Sequence, residues 1–296
     1  MISMYSHRPA RRYSVALVLL TGTVIVAGCS QPARADASAV KPGFGHVHAL
    51  ANNPEDGTTY AATHTGIFRL GPTGPVRVAD HIQDTMGFAV IGRNRFLGSG
   101  HPGPHDAGPV NVGLIRSDDG GLSWSPVALG GQTDFHALSV EGGTVYGWDA
   151  VSMMIMRSDD GGIAWQRGAT ISDVGALAVD PDDKHRVLAT SSSGLLESAD
   201  GGTTFAAAVQ QPPRPLVLVD HAARIGGGGD TTLAGIDQTG TLWASTGGVW
   251  SGEGSLGAPP QAFKVLGPGR YVVATSDGVH STEDAGRTWN LVAASG

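Results

Sequence analysis

The sequence predicts an all-β fold built from repeated short strands. Glycine makes up 45 of the 296 residues, roughly twice its usual share, and an interior glycine destabilises a helix by about 1 kcal/mol relative to alanine. Between the glycines lie short runs rich in Val, Leu and Thr, which are typical of strands. A short motif also recurs along the chain, which indicates a repeat architecture. These observations exclude helical bundles, coiled coils, doubly wound dehydrogenases and multi-span membrane proteins.

The N-terminal residues have the pattern of an export signal. Three arginines and no acidic residue precede an apolar stretch, Tyr13 to Val26, which is too short and too interrupted for a membrane span. The stretch ends in Val26-Ala27-Gly28-Cys29, which resembles a bacterial lipobox, and Cys29 is the single cysteine of the chain. We therefore expect residues 1–28 to be a lipoprotein signal peptide and Cys29 to carry lipid. This predicts an exported protein, anchored to the membrane on its extracytoplasmic side.

The rest of the chain divides into a tether and one folded domain. Residues 29–42 are mostly small and polar with two prolines, as in flexible linkers, and residues 43–296 form the domain. The formal net charge is −7, and the three lysines, Lys41, Lys184 and Lys264, lie far apart. Because nucleic-acid-binding proteins carry clustered basic residues, we expect no nucleic-acid partner. We expect a monomer that binds a protein or a glycan.

Four segments share the pattern Ser-x-Asp-x-Gly-x-Thr-Trp with small variations. Their starts lie 41, 40 and 84 residues apart, so the last interval equals two periods. The four segments are Ser117–Trp124, Ser158–Trp165, Ser198–Phe205 and Thr282–Trp289. Ser245–Trp250 lies in the long interval as a degenerate copy without the Asp, and Gly66–Leu70 marks an additional unit at the start. Six units of about 42 residues therefore fill the folded domain.

The repeated pattern resembles the Asp-box, or BNR repeat, of sialidases, sortilin-type receptors and related β-propellers. The resemblance implies a single β-propeller of six four-stranded blades, within the usual range of about four to eight blades. In each blade the motif would form the hairpin between the third and fourth strands. Its Asp would accept backbone N–H groups and have a structural role. These structural residues are Asp119, Asp160, Asp200 and Asp284.

Each unit divides into four strands. In the first unit we expect strands at Val47 to Ala51, Thr58 to Thr63, Gly66 to Leu70 and Val76 to Ala79. In the last unit we expect them at Ala262 to Leu266, Tyr271 to Thr275, Gly278 to Ser281 and Trp289 to Ala293. All units have the same strand order, so no exchanged strand is expected to close the ring. Seven blades, or five blades with an extension, remain alternatives.

In this topology two sets of loops open onto one mouth of the ring. They are the loops before each innermost strand and the loops between the second and third strands, and they are rich in His and Asp in the first three blades. We predict a binding face composed of His46, His48, His64, Asp84, Met86, Phe88, His101, His105, Asp106, Asp134, His136, Trp148 and Asp149. We favour a binding or assembly module that uses this face.

Three histidines of this face are candidate metal ligands. His46 and His48 lie on the same side of a strand because side chains alternate with a period of two. His136 occupies the equivalent position two blades later. Imidazole is a common ligand of zinc and copper, so a site for Cu or Zn is one hypothesis. The alternative is that these histidines only form hydrogen bonds with loops around a solvated channel, without any cofactor.

Glycoside hydrolysis is a second functional hypothesis. From about Lys41 onward the chain resembles a group of bacterial lipoproteins with Asp-box repeats that are often labelled glycosylhydrolase-like. A sialidase would need three arginines on the active face, and only Arg214 maps there, so a true sialidase is disfavoured. Other glycosidases use two carboxylates about 5 to 9.5 Å apart. The candidates for such a pair are Asp84, Asp134, Asp149 and Asp237.

Overall fold

The computed structural model describes residues 43–80, 82–222 and 232–295. The predicted signal peptide (1–28), Cys29 and the tether (29–42) lie outside the described residues. The described residues form 24 β-strands and no α-helix. No helix long and apolar enough to span a membrane occurs in this part of the chain.

The strands form six antiparallel sheets, which are the blades of a β-propeller. Blade one contains β1 (Val47–Asn52), β2 (Thr59–Thr63), β3 (Gly66–Gly71) and β4 (Gly74–Arg77). Blade two contains β5 (Asp84–Gly92), β6 (Arg95–His101), β7 (Leu114–Ser117) and β8 (Ser125–Ala128). Blade three contains β9 (Phe135–Glu141), β10 (Thr144–Asp149), β11 (Met154–Ser158) and β12 (Gln166–Thr170).

The second half of the ring has the same construction. Blade four contains β13 (Leu177–Val179), β14 (Val187–Ser191), β15 (Gly194–Ser198) and β16 (Ala206–Ala207). Blade five contains β17 (Leu216–His221), β18 (Leu233–Asp237), β19 (Thr241–Thr246) and β20 (Val249–Ser255). Blade six contains β21 (Ala262–Gly267), β22 (Arg270–Ala274), β23 (Gly278–Thr282) and β24 (Asn290–Ala294). The prediction of an all-β propeller with six four-stranded blades is confirmed.

The ring closes through side-chain packing between blades six and one. Each sheet consists of four consecutive strands, so among the described residues no strand is exchanged between the two ends of the ring. One apolar cluster combines Phe44 and Phe68 with Val279 and other residues of blade six. The backbone N–H of Val47 also donates to the side chain of Gln261 at 3.1 Å. The described residues therefore complete a ring of six blades, which rules out the seven-blade and five-blade alternatives for this part of the chain.

The hydrophobic core lies between neighbouring blades. Six clusters of buried side chains each combine residues of two adjacent blades around the ring. Tyr146 and Tyr271 are fully buried in the second strands of blades three and six. Each blade thus buries both faces of its sheet. This arrangement leaves the ends of the strands, where the loops lie, for binding.

The four repeated turns share one hydrogen-bonding pattern. In the first, Ser117 Oγ donates to Asp119 Oδ1 at 2.8 Å and accepts the N–H of Gly121 at 2.8 Å. The Asp119 carboxylate also accepts the N–H and the hydroxyl of Ser123, at 2.9 and 2.6 Å. Corresponding bonds to the carboxylate occur in the other three turns, at Asp160, Asp200 and Asp284. In blade five a Gly247-Gly248 turn with φ values of 58° and 84° connects β19 to β20 without a carboxylate.

The lowered pKa values of these turn carboxylates indicate that the protein loses stability in acid. Hydrogen bonds from the side chain and backbone of Thr204 lower the pKa of Asp200 to about 2, and those from Thr288 do the same for Asp284. A carboxyl whose pKa is lower in the folded state stabilises the fold above its unfolded pKa and loses this contribution as pH falls through the folded value. We expect the urea midpoint of the wild type to fall between about pH 4 and pH 2. The double variant Asp200→Asn, Asp284→Asn should be less stable at pH 7 and less sensitive to acid.

The matched control for this measurement is Asp118→Asn. Asp118 lies in the first turn next to Asp119, but its carboxylate is exposed and contacts Arg116. Its variant should retain the acid sensitivity of the wild type. Identical pH profiles for the wild type and the double variant would contradict the prediction.

Candidate metal centre at the mouth of the channel

The innermost strands of the six blades surround a central channel. The cavity has a volume of ≈ 580 Å³ and is lined by residues from β1, β5, β9, β13, β17 and β21. His48 and His136 lie at the end where these strands begin, and Glu141 and Arg270 lie at the opposite end. We call the end that carries the histidines the histidine mouth. It is the mouth for which the sequence predicts a binding face.

His48, His64 and Asp84 meet at this mouth, and we call them the triad. His48 belongs to β1, His64 begins the turn between β2 and β3, and Asp84 is the first residue of β5 in the next blade. In the β1–β2 ladder Val47 pairs with Thr63, and the register shifts at His48. The rings of His48 and His64 lie 4.2 Å apart, measured between centroids. The triad is therefore a product of strand pairing within blade one and of packing between blades one and two.

The ligand atoms of the triad form a compact triangle. His48 Nε2 is 3.1 Å from His64 Nδ1, His64 Nδ1 is 3.0 Å from Asp84 Oδ1, and His48 Nε2 is 3.5 Å from Asp84 Oδ1. A tetrahedral zinc ion with bonds of about 2.0–2.1 Å holds its ligand atoms about 3.3 Å apart. The three atoms therefore have the spacing of one face of a coordination tetrahedron, and the triad can hold a metal ion.

The surroundings of His48 favour a neutral imidazole at this member of the triad. Burial, followed by the neighbouring rings of His64 and His46, lowers the pKa of His48 to about 4. Burial and the proximity of His64 also lower the pKa of His46. The His46 ring lies 4.9 Å from the His48 ring and 5.8 Å from the His64 ring, measured between centroids. Neutral imidazoles keep a nitrogen lone pair, which a metal ligand requires.

The predicted set of His46, His48 and His136 is not the set that the structure brings together. His136 turns toward Asp134, and its Nε2 lies 2.8 Å from Asp134 Oδ2. His64 and Asp84 complete the group at His48 instead. The register shift at His48 in β1 and the packing of β5 against β1 bring these three side chains together.

Two of the candidate catalytic carboxylates, Asp149 and Asp237, accept several hydrogen bonds within turns. Asp149 is 2% exposed, and its carboxylate accepts the N–H groups of Asp134, Val151 and Ser152. Asp237 is 2% exposed, and it accepts bonds from Thr239, Thr241 and Trp243. Burial alone would raise the pKa of Asp237, but these hydrogen bonds lower it. Both carboxylates organise the loops between second and third strands.

The remaining residues of the predicted face have varied positions. Phe88 is a core residue whose ring lies 5.4 Å from that of Phe96, and Met86 is half-buried at a bulge in β5. Trp148 is largely buried and donates from Nε1 to the carbonyl of Ile171. His105 is exposed, and Asp106 accepts the N–H of Gly103 to close a turn. The part of the mouth that presents polar groups to a ligand is thus smaller than the predicted face.

Comparisons with known proteins identify the fold. No family model matches the sequence, and no curated protein matches it. The GH74 enzyme of Niastella koreensis has a TM-score of 0.59 at 16% identity, over 84% of this chain and 45% of that chain. The GH74 xyloglucanase of Xanthomonas campestris has a TM-score of 0.54 at 19% identity, with the same coverage of 84% and 45%. YCF48 bound to a D1 peptide has a TM-score of 0.52 at 17% identity, over 84% of this chain and 81% of that chain.

These likenesses establish a common propeller fold and nothing more specific. The alignment with the two GH74 enzymes spans less than half of their length. YCF48 is matched over most of its length. Because one fold hosts many functions, the function has to be argued from the residues at the histidine mouth.

Proposed function

We propose that this protein is a binding or assembly module that holds a zinc or copper ion at His48, His64 and Asp84. One observation carries the proposal: the three ligand atoms lie 3.0 to 3.5 Å apart, at the spacing of ligands around a tetrahedral ion. Two imidazoles and one carboxylate suit zinc and copper better than magnesium or calcium, which prefer oxygen ligands alone.

The triad is also accessible to a ligand of the ion. The side chain of His64 is 54% exposed and that of Asp84 is 27% exposed, whereas that of His48 is only 9% exposed. An ion bound by these three residues would have a further coordination position open toward the histidine mouth. A group from a partner protein or a glycan could take that position. The fold likeness to YCF48, which was solved with a bound D1 peptide, supports a peptide as one class of ligand.

Zinc titration of the full chain, purified in detergent and stripped with a chelator, tests this proposal. We expect the wild type to bind one zinc equivalent tightly. Asp84→Asn should weaken this binding more than about 100-fold, because loss of a direct ligand costs more than a change in the outer shell. Asp118→Asn is the matched control, since Asp118 is an exposed carboxylate that pairs with Arg116. Failure of the wild type to bind zinc or copper, or equal affinity in Asp84→Asn, would overturn the proposal.

We also propose that the protein is exported and anchored by lipid on Cys29, as a monomer on the extracytoplasmic side of the membrane. The lipobox-like sequence Val26-Ala27-Gly28-Cys29 at the end of an apolar stretch supports this proposal. Cys29→Ser should move the protein out of the lipid-modified membrane fraction. Identical lipid labelling of the wild type and this variant would contradict the proposal.

Glycoside hydrolysis is the second candidate function, and the fold likeness to GH74 enzymes favours it. Of the four candidate carboxylates, Asp84 and Asp134 are the two that contact histidines at the mouth. A hydrolase would release reducing sugar from xyloglucan or another glycan, and both Asp84→Asn and Asp134→Asn would abolish the release. Zinc binding without any such release would favour the binding module.

A further inference from the structure

A second group of ligand-type side chains lies at the histidine mouth, apart from the triad. It consists of His101 at the end of β6, Asp134 just before β9, and His136 within β9. Asp134 Oδ2 is 2.8 Å from His136 Nε2 and 3.4 Å from His101 Nε2. We call this group the second cluster. None of its three residues belongs to the triad.

The hydrogen bonding of His101 fixes which of its nitrogens carries a proton. Its Nδ1 lies 3.0 Å from the carbonyl oxygen of Val110, and a carbonyl can only accept. In the neutral ring, Nε2 therefore has a lone pair, which faces the carboxylate of Asp134. Two acceptors at 3.4 Å cannot form a hydrogen bond with each other. This is the arrangement of metal-ligating histidines, whose other nitrogen donates to a backbone carbonyl.

The carboxylate of Asp134 lacks sufficient hydrogen-bond donors. Its side chain is only 8% exposed, and its Oδ1 is buried without a hydrogen-bond partner in the structure. A buried carboxylate is costly unless it is paired with a cation or accepts several hydrogen bonds. His101 and His136 contact the other oxygen, Asp134 Oδ2. A neutral His101 presents a lone pair to this oxygen and not a hydrogen. A bound cation would supply the missing compensation.

The backbone holds Asp134 firmly in this position. The N–H of Asp134 donates to Asp149 at 2.8 Å, and the N–H of Phe135 donates to Ser99 Oγ at 2.9 Å. Ser99 belongs to β6, the same strand as His101. The cluster is therefore anchored between blades two and three, and the rings of His101 and His136 are partly exposed, at 36% and 34%.

We propose that the second cluster is a second site for a divalent transition-metal ion, with zinc as the representative ion. Asp134 and His101 Nε2 provide two ligands 3.4 Å apart, and a rotation of the partly exposed His136 ring would supply the third. This inference goes beyond the proposed metal centre and does not depend on it. Among the described residues, the triad is the group whose ligand atoms all lie within 4.8 Å of one another. The ligand atoms of the second cluster are farther apart, so we expect its ion to bind more weakly.

Zinc chloride titration by calorimetry, combined with metal analysis after gel filtration, tests the second site on the full chain. We expect the wild type to bind two equivalents, the second at least about 10-fold more weakly than the first. Asp134→Asn should lose the weaker equivalent and keep the tighter one, and Asp84→Asn should do the reverse. His105→Gln is the matched control, because it removes an exposed histidine of the same mouth and should retain both equivalents.

The outcomes separate the two metal sites. A single equivalent that is lost in Asp84→Asn and unchanged in Asp134→Asn overturns the second site and leaves the proposed centre intact. A single equivalent that is lost only in Asp134→Asn supports the second site and contradicts the proposed centre. If Asp134→Asn does not fold by circular dichroism, His101→Gln replaces it, since this side chain is 36% exposed. Retention of the weaker equivalent in His101→Gln would then overturn the second site.

Discussion

His48→Gln should lower the zinc affinity of the protein at least about 100-fold. His48 is the least exposed member of the triad, and its Nε2 lies within 3.1 Å of His64 and 3.5 Å of Asp84. A changed partner in the outer shell of a metal site costs about 10- to 100-fold in affinity, and the loss of a direct ligand exceeds this. The remaining His64 and Asp84 would provide only two ligands. Competition with a chromophoric chelator measures the difference.

His105→Gln is the control for this substitution. It makes the same chemical change at an exposed histidine of the same mouth, outside the triad. Its zinc affinity should equal that of the wild type. If His48→Gln and His105→Gln reduce the affinity equally, zinc is binding to scattered surface histidines, and the triad is not a metal centre.

Phe44→Ala should lower the free energy of unfolding by about 3–5 kcal/mol, which is the usual cost of deleting a fully buried aromatic ring. Phe44 is 0% exposed, and its ring lies 6.0 Å from that of Phe68 in the cluster that joins blades one and six. Because none of the strands in the described part of the chain is exchanged between blades one and six, this packing closes the ring. Urea denaturation measures the effect.

Leu291→Ala is the control for the Phe44→Ala prediction. Leu291 belongs to the outer strand of blade six and is 58% exposed. Surface substitutions of this kind usually change stability by less than about 0.5 kcal/mol. A loss below about 1 kcal/mol for Phe44→Ala would mean that the cluster between blades six and one contributes little to closure.

The repeat period made the architecture predictable. Copies of one motif at constant spacing gave the number of blades, and the glycines between short apolar runs gave the strand ends. The expected first strand, Val47 to Ala51, is observed at Val47–Asn52, and the expected Tyr271 to Thr275 is observed at Arg270–Ala274. Strand alternation and turn residues are local properties, so they can be read from short stretches of sequence.

The pairing of side chains at the mouth was not predictable in the same way. His136 and His64 both belong to the predicted face, but only contacts between strands and blades decide that one meets Asp134 and the other His48. Asp149 and Asp237 were candidate catalytic groups because the residue type alone does not distinguish a free carboxylate from a turn cap. A hydroxyl residue two or three positions later, Ser152 or Thr239, is the local signal of such a turn.

Anomalous diffraction at the zinc edge, on crystals of the zinc-loaded protein, tests the central claim most directly. The account predicts a peak about 2.0–2.1 Å from His48 Nε2, His64 Nδ1 and Asp84 Oδ1, which are the bond lengths of zinc to nitrogen and oxygen ligands. The same data would reveal an ion beside Asp134. The absence of a peak at the triad in crystals that contain zinc elsewhere would contradict the claim that the histidine mouth is built around a metal centre.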